Sequence, residues 1–111
     1  MAELDIGALL QAMGLAAEGV LQNKWPQVKS FATTEFQKIA QTVVSIGEGL
    51  ASGEITQEQA PLLLDMQKNA SRAVIAAVEG MTLIAAEQAL NAALSAGKAI
   101  INNFVGLALI A

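Results

Sequence analysis

At 111 residues, with a formal charge of −4, the chain has room for one domain and a modest core. Its six Lys and Arg are scattered, so no basic patch exists to neutralise phosphates, and nucleic-acid binding is excluded as a reading. It contains neither His nor Cys, which removes disulfides, the usual zinc ligands and His-dependent nucleophiles.

Apolar residues make up 54% of the chain and charged residues only 14%, against roughly 25% charged in ordinary soluble domains. Aromatic residues are few, so each buried residue removes little area from water. Such a chain needs many close helix contacts, an oligomer or a bilayer. The acidic start, Met1-Ala2-Glu3-Leu4-Asp5, lacks the positive beginning of a secretory signal. This predicts cytoplasmic synthesis without a signal peptide, with a particle or a membrane as the final site.

The first predicted helix covers about residues 2–22. Ile6, Leu9, Leu10, Met13, Ala17, Val20 and Leu21 keep the i, i+3, i+4, i+7 spacing of one helical face. Gly7 and Gly14 are read as points where a partner helix approaches closely, with a hinge as the alternative. Asn23-Lys24-Trp25-Pro26 breaks the pattern, and Pro26 suits a first helical position, where its missing N–H costs nothing.

A second helix is predicted over about 26–50. Its seam, Ala32, Phe36, Ile39, Val43, Ile46 and Leu50, alternates steps of four and three, which favours knobs-into-holes packing. Lys29, Ser30, Thr33, Thr34, Gln37, Lys38, Gln41, Thr42 and Ser45 form its wet face. Gly47, Gly49 and Gly53 are read as its end. The turn is short, so the flanking helices should form an antiparallel hairpin. Thr56 and Gln59 then fit a capping box, with Ile55 placed to staple onto Ala60.

From there one long Ala-rich helix is predicted over about 56–96, and a last segment over about 98–110, with the break at Gly97. Asp65, Lys68, Arg72, Glu79, Glu87, Asn91, Ser95, Lys98 and Asn102 fall in one helical line. Small residues recur every four positions beside it. Ala73, Ala77, Gly80, Ala85, Ala89, Ala93 and Gly97 are therefore read as a helix-packing interface, because small side chains let backbones approach. Glu79, Glu87 and Lys98 would line an aqueous path if the chain inserted into lipid as a ring. A lone span is disfavoured. The window Ala73–Ala96 holds two acidic residues, each costing about 2.5–3.5 kcal/mol in lipid.

The pattern predicts a single all-α domain over 1–111: three to four helices in a hairpin or bundle with a long Ala-rich C-terminal helix. No catalytic, cofactor or metal site is predicted. There is no phosphate-cradling glycine loop, and no Glu-x-x-His pair of the di-iron bundles. The leading functional expectation is a non-enzymatic structural protein that forms a homo-oligomer or packs into a larger assembly, such as a virus particle or secretion machine. The alternatives are a membrane-active helical hairpin of the holin or pore-forming kind, and a small helical ligand-binding bundle.

Overall fold

The computed structural model describes residues 4–78, 82–107, 109 and 110. Among them the chain is all helical: α1 (Ile6–Leu21), a 3₁₀ turn (Gln22–Lys24), α2 (Trp25–Ser52), α3 (Gln59–Val78) and α4 (Leu83–Val105). The 28 residues of α2 measure about 42 Å at the helical rise of 1.5 Å per residue. The molecule's longest dimension is also 42 Å, and the other two are 23 and 21 Å. α2 therefore sets the length of a rod-shaped bundle.

Each helix packs on its sequence neighbour, α1 closes onto α4, and α2 touches α4 across the diagonal; α1 and α3 do not meet among the described residues. Thr42 of α2 hydrogen-bonds Gln67 of α3, which makes that pair an antiparallel hairpin. Arg72 of α3 reaches Glu87 of α4, so the next pair is also antiparallel. Gly97, late in α4, lies on Leu9 and Met13, early in α1, which closes the ring with a third antiparallel pair. Gly47 of α2 meets Phe104 of α4, so the diagonal pair runs parallel. The result is an up-down-up-down four-helix bundle.

One core cluster runs through it. α1 contributes Leu9, Met13, Ala17 and Leu21, a row with steps of four, while Ile6 and Val20 remain exposed. From the seam of α2, Ala32, Phe36, Ile39, Val43 and Ile46 are buried as expected, and Leu50 packs at the edge. α4 contributes Ala86, Ala89, Leu90, Ala93, Leu94 and Ile101. Alternating Ala with Leu keeps α4 close to α1 while filling the space between them.

Caps set the ends. Asp5 accepts from the Ala8 N–H at 3.0 Å and begins α1, so this helix starts later than the sequence pattern suggests. Residues 1–3 lie outside the described part. The break before α2 falls at Gln22, whose φ of 49° is the only positive value at a non-glycine residue among those described. α2 ends on Gly53 with φ 83°. The Thr56–Gln59 capping box forms in both directions: Gln59 N–H donates to Thr56 Oγ1 at 3.1 Å, and Thr56 N–H donates to Gln59 Oε1 at 3.0 Å.

Two expectations are corrected. The run 56–96 is not one helix: α3 ends at Val78, and Thr82, in extended conformation, starts α4 by accepting from Ala85 N–H at 3.1 Å. A Thr hydroxyl supplies one of the acceptors that a new helix start lacks. Nor does the chain break at Gly97. α4 passes through it and ends at Gly106, with φ 83°. A Cβ on Gly97 would sit 2.6 Å from Leu9 Cδ1, so the glycine is there for the approach of α1. Gly47 has the same role toward the Phe104 ring, and Gly49 toward Ile55, so neither ends α2. Ile55 thus lies over Gly49, and its N–H donates to the Gly49 carbonyl at 3.0 Å.

After Gly106 the chain turns back onto α4. Asn102 Nδ2 donates to the Ile110 carbonyl and Asn102 Oδ1 accepts from the Ile110 N–H, both at 2.9 Å. Leu109 beside it is buried. The sequence pattern put Asn102 at the end of the polar line, and the structure uses it as a latch. Asn102→Ala should cost about 2 kcal/mol in urea unfolding, since both latch bonds are partly buried. Amide exchange at Ile110 should rise in the same variant.

Candidate interaction surface

The predicted packing interface divides between two surfaces. Ala89, Ala93 and Gly97 are buried inside the bundle and Ala85 is half-buried. Ala73 and Ala77, on α3, are exposed. Gly80 and Glu79 lie outside the described residues. The polar line divides as well, because it spans two helices. Glu87 is half-buried beside Arg72, with Oε1 3.6 Å from Nη1, and Lys98 is exposed on α4. Arg72 Nε is buried without a hydrogen-bond partner among the described residues.

The exposed alanines belong to a longer feature. Leu62, Met66, Ala70, Ala73 and Ala77 follow one another along α3 at steps of four, four, three and four, and all face solvent. These steps keep them on one helical face. Leu62 is 63% exposed and Met66 68%. Val74 widens the face, and Asn69 is the polar residue set into it. α3 buries Ala60, Leu64, Ser71 and Ile75 on its inner side. It is therefore apolar on two opposite sides, with its charged residues Asp65, Lys68 and Arg72 along one strip between them. Leu83 and Ile84 are also exposed, at the first turn of α4.

One edge of this face opens into a groove of about 510 Å³ between α2 and α3. Ile46, Ile55, Leu63, Met66 and Ala70 line it on the apolar side. Lys38, Gln41, Thr42, Ser45 and Gln67 give it polar walls. A short polar chain crosses the same interface: Gln67 Nε2 donates to Ser71 Oγ at 3.0 Å, and Thr42 Oγ1 lies 3.5 Å from Gln67 Oε1. Ser71 is fully buried, so Gln67 is its means of satisfaction.

Glu35 was missed by sequence reasoning. It is 3% exposed and pairs with Lys38 Nζ at 3.0 Å, one turn along α2. It lies three residues after Ala32 and four before Ile39, so helical spacing puts it at the border of the buried seam, and only its charge argued for the wet face. The exposure of the α3 face did leave a signal. The apolar residues of 62–77 cover more of the helix surface than one core contact needs.

Among the described residues, no helix is long and apolar enough to cross a membrane, and no group of three or more acidic side chains is placed to hold a metal ion. Comparisons with protein-family models, curated proteins and solved structures find no match to this chain.

Proposed function

We propose that the chain is a non-enzymatic helical building block that associates with itself through the outer face of α3, as a component of a larger assembly. One observation carries this reading. The bundle has a filled core of its own, yet α3 presents a second apolar face, Leu62 to Ala77, along most of its length. Contiguous apolar surface of this kind marks a contact site. The absence of His and Cys from the sequence supports a role in packing over one in chemistry. A virus particle or secretion machine is the kind of assembly that uses such a block.

Light scattering after size exclusion tests it. The wild-type chain should elute above its monomer mass of 11.5 kDa. Met66→Asp should return it to monomer with unchanged helical circular dichroism, because Met66 is exposed and takes no part in the core. A wild-type chain that stays monomeric at high concentration would overturn the reading, as would a Met66→Asp chain that associates normally.

A further inference from the structure

We propose that the occupant of the α3 face is the α3 face of a second copy, packed antiparallel about a two-fold axis that passes between Asn69 and Ala70. The proposal rests on the self-association reading and adds its geometry.

The first argument is steric. The face tapers, with its bulky residues, Leu62 and Met66, in the first half and its small ones, Ala73 and Ala77, in the second. A two-fold axis at this point sets Leu62 against the partner's Ala77 and Met66 against the partner's Ala73. Each large side chain then meets a small one, which fills the contact evenly. A parallel pairing would set large on large and leave a gap between the alanines. Two-fold contacts are also self-complementary, since each pairing occurs twice.

The second argument is electrostatic. Asp65 and Arg72 lie seven residues apart on the same flank of the face. Asp65 is exposed and has no ion pair among the described residues, and about a third of the Arg72 side chain is exposed, at 32%. The antiparallel axis brings Asp65 within about 3 Å, measured along the helix, of the level of the partner's Arg72. A parallel two-fold pairing would place this flank of the two copies on opposite sides of the seam, so neither ion pair could form. Glu54 and Glu58 lie in the turn that begins α3, at one end of the rod, while the other end is mixed, with Glu18 near the end of α1 beside Lys24 and Lys29. Antiparallel packing keeps the two acidic ends apart, which favours this orientation over the reverse.

The chain has no cysteine, so single-cysteine variants report the geometry directly. Under mild oxidation Ala70→Cys should form disulfide-linked dimers alone. Leu62→Cys and Ala77→Cys should each fail alone and cross-link when mixed. Separately, Asp65→Arg and Arg72→Asp should each weaken association about tenfold, and an equimolar mixture should restore it, because both contacts then join opposite charges again. Efficient dimers of Leu62→Cys alone would mean a parallel pairing and overturn the proposal. Association by light scattering without any of these cross-links would also overturn it, while leaving self-association standing. A chain that does not associate at all removes both.

Discussion

Gly97→Val is expected to destabilise the bundle by about 3 kcal/mol, because it overpacks a closed contact. Its Cβ alone would stand 2.6 Å from Leu9 Cδ1, so Leu9 must shift to admit it, and Met13 Cγ, in contact at 3.6 Å, lies beside it. Leu9 and Met13 are both fully buried. The test is a double-variant cycle in urea. Leu9→Ala alone should cost about 3 kcal/mol by leaving a cavity. Combined with Gly97→Val it should cost clearly less than the two together, since the added methyls enter the space that Leu9 vacates. Simple additivity would show that Gly97 is not where α1 and α4 are held together.

Lys38→Met should cost about 2 kcal/mol for a different reason, less than the loss of a fully buried pair because the Lys38 side chain is 51% exposed. Lys38 supplies the partner at 3.0 Å for a carboxylate that is 3% exposed. Removing it leaves a buried charge uncompensated. Replacing Glu35 as well, by Met, should return stability to near the starting value, because an ion pair with one buried partner adds little over apolar side chains of similar size. Three unfolding curves decide it. If Lys38→Met unfolds like the wild type, solvent rather than Lys38 stabilises Glu35.

Much of this fold was legible because its signals are local. The heptad seam of α2 and the Thr56–Gln59 box each depend on residues a turn apart, and both occur as written. The glycines were harder. Gly53 ends a helix, but Gly47, Gly49 and Gly97 lie inside helices and face Phe104, Ile55 and Leu9. A glycine that ends a helix and one that admits a neighbour look alike in sequence, because both follow from the missing Cβ. Thr82 was hidden for the opposite reason. Leu83, Ile84 and Ala85 continue the apolar phase, and one hydroxyl starts a new helix without interrupting it.

The candidate surface was half legible. Small residues every four positions mark a contact but not whether it lies within the chain or beyond it. Ala89, Ala93 and Gly97 turned inward because α1 is there to receive them. Ala73 and Ala77 stayed outside because α1 and α3 occupy opposite corners of the bundle. That distinction belongs to tertiary arrangement, which a repeat along one helix does not encode.

The turn at Gln22 has a consequence for how the bundle opens. A side chain at φ 49° and ψ −111° costs about 1–3 kcal/mol relative to ordinary helical backbone. The backbone there favours a straight continuation of α1 into α2, while burial of Leu9, Met13, Ala17 and Leu21 favours the fold-back. The α1–α2 hairpin is a sprung joint held shut by its core row. Any loss along that row leaves less burial to hold the strained turn shut.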